Sequence, residues 1–225
     1  MLKLTYHGHS CFELESDGHR IIVDPFLSDN PHAKASPKDI KVEAVLVSHG
    51  HGDHLGNAEE IARNNNCPII SNYEIANYLA DKGLDAFGMH IGGSFEFDWG
   101  RLKLTPALHG SALPDGSYGG NPAGFLIWMG GKCVYYAGDT GIMSDMELYG
   151  RLNPIDFAML PIGSCFTMDV RDAVEAALLL KPKEVMPIHY NTFPVIEAEP
   201  EEFAKLAQSK GLKTRIVEFG DTVEI

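Results

Sequence analysis

Long apolar runs, basic charge and clustered cysteines are all scarce in this chain of 225 residues. The longest apolar stretches, such as Phe125-Leu-Ile-Trp-Met129, fall far short of the ~20 residues a membrane-spanning helix needs. Lys and Arg number 18 against 31 Asp and Glu, a net charge of −13. That deficit argues against a general grip on nucleic acid, which needs clustered cations to displace phosphate counterions. It argues equally against anionic membrane surfaces. The four cysteines, Cys11, Cys67, Cys133 and Cys165, lie far apart with no C-x-x-C, so reduced and mostly buried thiols are expected. The first residues run straight into a strand-like pattern without the apolar core of a signal peptide, which predicts a cytoplasmic protein. No low-complexity run or Ser/Pro-rich linker is present, and 44% of residues are hydrophobic. One folded domain over residues 1–225 is expected rather than disorder or two separate units.

What is present alternates between strand and helix signals. Leu2, Leu4 and Tyr6 alternate with polar neighbours, and Cys11–Glu15 and His19–Val23 flank Ser16-Asp-Gly18 as a hairpin. Ala44–Ser48 is a short β-branched run suited to a strand buried on both faces. Leu55–Arg63 and Tyr73–Lys82 read as helices, the second stopped by Gly83, with Cys67–Ile70 as a strand between them. Phe95–Phe97 and Leu102–Leu104, then Ala123–Met129 and Lys132–Ala137, read as paired strands around glycine turns. Phe157–Leu160 and Glu184–Ile188 are buried-strand candidates. Between them Val170, Ala173, Val174, Ala177 and Leu178 mark one helical face. A helix from Pro200 to before Gly211, then strands Thr214–Val217 and Thr222–Ile225, close the chain. Two runs of strands, each followed by strand–helix alternation, predict an α/β, four-layer αββα sandwich: two facing mixed sheets with helices outside.

The densest chemistry is His49-Gly-His51-Gly-Asp53-His54, directly after the Ala44–Ser48 strand. Open α/β sheets place ligands at the C-terminal ends of strands. Imidazole nitrogens and a carboxylate suit Zn2+ at roughly 2.0–2.2 Å. Four such groups on one loop cannot all serve one tetrahedral ion alongside further ligands, so a division between two ions is expected. Three later segments each end a strand-like run on a histidine or aspartate: Leu104–His109, Tyr136-Ala-Gly-Asp139-Thr140 and Met186-Pro-Ile-His189; taken singly each reads as a satisfied histidine or a turn or N-cap aspartate. No G-x-S-x-G elbow offers a serine nucleophile.

His-x-His-x-Asp-His, followed in order by His109, Asp139 and His189, resembles the metallo-β-lactamase superfamily over essentially the whole chain. The resemblance implies one metal on His49, His51 and His109, a second on Asp53, His54 and His189, and Asp139 bridging them. It implies two divalent ions, Zn2+ first, with Mn2+, Fe2+, Co2+ or Ni2+ also accommodated by these ligands. The chain is most similar to the small metal-dependent hydrolases related to ascorbate-6-phosphate lactonase. That likeness rests on Tyr6-His-Gly-His9-Ser10, Asp24-Pro-Phe26, Met89–Gly93, His109-Gly-Ser111 and His189–Pro194. Gly163-Ser-Cys-Phe-Thr167 departs from that branch, where a more polar pair stands at 164 and 165. By resemblance His9 lies near the metals and binds substrate or donates a proton, the alternative being a histidine that hydrogen-bonds within the N-terminal hairpin; Asp53 is the other catalytic candidate. Asp24 is read either as a carboxylate that orients a ligand or as a turn former before Pro25. His7 shares the side of His9 unless Gly8 breaks the strand. His19, His32 and His90 are read as structural or solvated.

The expected activity is metal-dependent hydrolysis of a small-molecule lactone, ester or phosphoester by a metal-bound hydroxide. The alternatives are a mononuclear-iron dioxygenase of the same fold and a metal-binding protein without turnover. A tRNA-processing phosphodiesterase is disfavoured by the acid excess. An exported β-lactamase is disfavoured by the missing signal. No nucleic-acid or membrane partner is expected, and a homo-oligomer is left open. The loop 110–122 is expected to border the site, and Phe26, Tyr190 and Phe193 are read either as the lining of an apolar pocket or as ordinary core packing.

Overall fold

The computed structural model describes all 225 residues. The chain opens with an antiparallel meander, β1 Lys3–Gly8, β2 Cys11–Ser16 and β3 His19–Val23, followed by β4 Ala44–Leu46. Then come α1 Gly52–Leu55, α2 Ala58–Asn65, β5 Ile69–Asn72, α3 Tyr73–Asp81 and β6 Ala86–Met89. The second half holds β7 Ser94–Phe97, β8 Gly100–Pro106, β9 Ala123–Met129, β10 Lys132–Tyr136, α4 Asp145–Leu152, β11 Phe157–Pro161 and α5 Val170–Leu180. It closes with β12 Glu184–Ile188, α6 Pro200–Ser209 and β13 Thr222–Glu224. The first sheet runs β13-β1-β2-β3-β4-β5-β6 and the second β12-β11-β10-β9-β8-β7. Both mix parallel and antiparallel pairs. No helix is long and apolar enough to cross a membrane.

The layers follow from the strand period. On β9, Phe125 and Ile127 enter the core between the sheets, while Leu126 joins the core under the outer helices. On β10, Val134 and Tyr136 face inward and Cys133 and Tyr135 outward. Successive side chains point to opposite faces, so a strand buried on both reads as a continuous apolar run. The inter-sheet core also takes Leu4, Phe12, Leu14, Val23 and Leu46 from the first sheet. Ile61, Ile75 and Leu79 pack α2 and α3 onto one outer face, and Ala173, Ala177 and Phe203 pack α5 and α6 onto the other. This is the four-layer αββα arrangement expected from the sequence.

Three local expectations differ. The helix expected over Leu55–Arg63 is two, broken at Gly56, whose φ is +41° and where a Cβ would lie 2.5 Å from Pro25 O. Thr214–Val217 forms only a single bridge, Thr214 to Val185. This segment carries the chain from the edge of the second sheet to β13 at the edge of the first, so it cannot stay paired to either. Strand β6 and helix α4 had no clear sequence signal. Each contains a glycine, Gly88 or Gly150, that weakens the pattern and permits close packing against Tyr73 or Leu180.

Candidate metal centre

The site lies where strands of both sheets end on the same side of the sandwich. From the first sheet, β4 leads through Val47 and Ser48 into His49, and the short α1 carries Asp53 and His54. Gly50 permits the tight path. A Cβ there would come within 3.0 Å of Ala112 O, and its N–H donates to Ser111 Oγ at 3.1 Å. From the second sheet, His109 follows β8, Asp139 follows β10 and His189 follows β12. Leu108 N–H donates to Thr140 Oγ1 at 2.9 Å, tying the His109 segment to the Asp139 segment.

Three buried non-glycine residues around the site take left-handed backbone: His9 at φ +57°, Asp24 at +43° and His189 at +55°. Each costs roughly 1–2 kcal/mol against ordinary backbone, less for Asp, so the surroundings must hold it there. The carbonyl of His9 accepts from His189 N–H at 2.8 Å and from Tyr6 Oη–H at 2.9 Å. That pins the turns bearing His9 and His189 together, with their ring centroids 4.1 Å apart.

The candidate ligands fall into two clusters, His49–His51–His109 and His9–Asp53–His54–His189, each with its ligand atoms within 4.8 Å of one another. Asp139 stands between them. Its Oδ1 lies 3.3 Å from His54 Nε2, and its Oδ2 lies 3.0 Å from His189 Nε2 and 3.6 Å from His109 Nε2. A cavity of about 210 Å³ opens here, lined by His51, Asp53, His109, Asp139, Phe166 and His189. The larger cavity, about 550 Å³ around Trp99 and Trp128, lies at the opposite ends of the strands and holds none of these residues.

Asp24 is buried and fully engaged. Its Oδ1 accepts from Ser48 N–H at 2.7 Å, and its Oδ2 accepts from Ser48 Oγ–H at 2.5 Å, from His54 Nδ1–H at 2.6 Å and from Tyr136 Oη–H. Ser48 Oγ also lies 3.0 Å from His49 Nδ1. The carboxylate thus fixes the ring of His54 directly and that of His49 through Ser48, leaving Nε2 of each facing the site. A cluster of Asp24 with His49 and His54 could be drawn as a third metal position. The occupied oxygens of Asp24 argue against it. Sequence reasoning raised Asp24 but missed Ser48, Tyr136 and Thr192, because these contacts exist only once distant segments meet.

His9 reaches the site, and His7 does not. His9 Nε2 lies 3.2 Å from Asp53 Oδ2 and its Nδ1 lies 2.5 Å from Thr192 Oγ1. An ionised carboxylate only accepts, so Nε2 carries the proton and Nδ1 accepts from the Thr192 hydroxyl. His7 turns away to Glu13 at 2.8 Å. His19 pairs with Glu43, His32 stacks on Phe219, and His90 is exposed beside Tyr73. Phe26 and Phe193 pack edge-on to His9 at 5.4 and 5.6 Å. Tyr190 instead is buried in the helix-side core. The loop 110–122 does border the site, with Gly110 beside the His51 ring. Phe166, half exposed at the mouth, had no signal beyond its place in the Gly163–Thr167 segment.

The electrostatics call for a cation. Burial disfavours charge on His54, but Asp139 and Asp24 outweigh it and raise its proton affinity well above the usual imidazole range. Burial likewise opposes ionisation of Asp139, and His189 with His54 overcomes it, holding the carboxyl well below its ordinary value. For Asp53 burial is outweighed by the His9 hydrogen bond and by His54, and its pKa also falls. Burial, then the neighbouring His54, pushes His49 down. Burial and His189 take His9 to about 4. His54 Nε2, Asp139 Oδ1 and His189 Nε2 are buried with no hydrogen-bond partner. Orphaned donor atoms of this type, converging from nitrogen and carboxylate side chains, fit divalent metal. A metal ion gives His54 and Asp139 the positive charge they favour and competes there with protons.

The chain is similar to known proteins over its full length. Residues 19–190 match a family model described as a β-lactamase superfamily domain. A UPF0173 metal-dependent hydrolase of Pelotomaculum thermopropionicum is 48% identical over 229 residues, covering 100% of both chains. YtkL of Bacillus subtilis, also described as a UPF0173 metal-dependent hydrolase, is 48% identical over the same share of each chain. Igni18, a solved metallo hydrolase of the archaeon Ignicoccus hospitalis, superposes with a TM-score of 0.91 at 42% identity, covering 99% of this chain and 97% of its own. On the family match and the full-length identity of these relatives, the chain belongs to the β-lactamase superfamily, in its UPF0173 metal-dependent hydrolase family.

Proposed function

We propose that the chain is a binuclear metal-dependent hydrolase of a small-molecule lactone, ester or phosphoester. The observation that carries this reading is the meeting of two ligand clusters at Asp139, with buried donor atoms on both His54 and His189 left unpartnered. His49, His51 and His109 would hold one ion, and Asp53, His54 and His189 the other, with Asp139 shared. When bound, two divalent ions, zinc first, lower the pKa of water toward neutrality and polarise the substrate oxygen. The protein supplies the arrangement around them. Asp24 and Ser48 keep the His54 and His49 rings turned inward. His9 directs its Nε2 proton at Asp53 and so orients that carboxylate, with Thr192 fixing the tautomer. Phe166 lines the cleft at the candidate ligands, and Phe193 packs edge-on against His9.

The test is metal analysis of the purified protein with a panel of lactones, esters and phosphodiesters, each with and without chelator. Nearly two ions per chain and turnover that chelation abolishes are expected, and Asp139→Ala should lose both. A single iron with oxygen consumption would move the reading to the dioxygenase alternative. Metal without turnover across the panel would move it to a non-catalytic metal protein.

A further inference from the structure

Beside the candidate metal centre the cleft continues in one direction. A cavity of about 400 Å³ has His109 at one end and Ile91, Pro106, Leu108 and Pro122 along its walls. A second cavity, about 230 Å³, shares Ile91 and Asn121 with the first and ends at Glu74 and His90. Together they form a groove that starts at His109, a candidate ligand, passes the apolar wall of Ile91, Pro106 and Leu108, and ends among the polar side chains of Asn72, Glu74, His90 and Asn121.

Glu74 is a seated group rather than a loose surface acid. It lies in the first turn of α3, and its Oε2 rests on the backbone of Gly120, where a Cβ would come within 2.5 Å. Gly120 takes φ +74° and belongs to the loop that also braces Gly50. Asn72, at the same wall, is used up: its Oδ1 caps Ile75 N–H, and its Nδ2 donates to Gly119 O and Asn121 O. Glu74 has no such partner, and no Lys or Arg lines either cavity or the cleft at the metal centre. The half-buried helix-start position explains why an acid is tolerated at 74. It does not explain why the carboxylate stands at the far end of a groove whose near end is apolar and includes His109.

Resting on the hydrolase reading above, we propose that this groove binds the substrate's non-reacting part, and that this part is an apolar segment ending in a basic group held by Glu74. Anionic ends, phosphate included, are disfavoured, because recognition of phosphate or carboxylate away from the metals would call for Arg, Lys or free backbone N–H groups. The groove offers a carboxylate instead. A partly desolvated ion pair at its far end would favour an ammonium over a carboxylate of equal length.

The test reads binding, so it does not depend on turnover. Zinc-loaded protein is titrated with straight-chain hydroxamates of butyl to octyl length, ending in a methyl, an ammonium or a carboxylate. The hydroxamate anchors each probe at the metals. At the best length the ammonium probe should bind the wild type roughly three- to fivefold more tightly than the methyl probe and the carboxylate probe more weakly. Glu74→Gln should remove the ammonium preference, and Glu74→Lys should reverse it. Backbone amide shifts on binding should include Ile91 and Asn121. Equal binding of the three end groups, a preference insensitive to residue 74, shifts that avoid the groove, or no hydroxamate binding at all would each overturn the proposal. Loss of turnover on every ester and lactone with this binding pattern intact would strike the hydrolase reading alone.

Discussion

At the scale of single residues, the candidate ligands depend on side chains that do not themselves face the site. Asp24 is the clearest case, because one carboxylate takes four donors and sets both His54 and, through Ser48, His49. Asp24→Asn keeps the shape but cannot accept from three donors at one position. It is expected to weaken metal binding about 10- to 100-fold, measured by chelator competition. Tyr136→Phe removes a single donor to that carboxylate. Its cost should fall on folding, about 1.5–3 kcal/mol in urea unfolding of the metal-free protein, with metal stoichiometry kept. The His49–His54 stretch stood out in the sequence by its density of imidazoles directly after a buried strand, whereas His109, Asp139 and His189 were singled out through the family resemblance. The supporting partners could not be read there, because Tyr136 and Asp24 stand 112 positions apart, and His9 and Thr192 183 apart.

At the scale of elements, small breaks in regular structure aim the side chains. Strand parity alone would put His7 and His9 on one face of β1. The pairing register shifts between Tyr6 and Gly8, and Gly8 takes φ +98°, so the two histidines part company. One joins Asp53 and the other Glu13. Gly56 works similarly by ending α1 one turn after Asp53 and His54. Gly56→Ala meets both a left-handed backbone and the Pro25 carbonyl. It is expected to lower stability by more than about 1 kcal/mol in thermal melts. Because Pro25 follows Asp24 directly, metal retention should fall with it. The strands around the sheet centres were legible because both faces are buried and their short apolar runs are unbroken. β6 and the Thr214 segment were not, since one contains a glycine and the other changes sheet.

At the scale of the whole molecule, the αββα layering was legible because two strand-rich runs are each followed by strands that alternate with helices. The candidate ligands divide between the sheets, with His49, His51, Asp53 and His54 arising from the first and His109, Asp139 and His189 from the second. Binding to the folded form alone stabilises by mass action, about 2.7 kcal/mol at a hundredfold excess over Kd. Chelation should therefore lower the melting temperature, and zinc should restore it. A calorimetric melt unmoved by chelator would contradict the shared site. All four cysteines are free thiols, three of them buried. The two sheets carry no disulfide between them, so bound ions would act as their cross-links: clasps that a change in redox conditions leaves closed and a change in metal supply undoes.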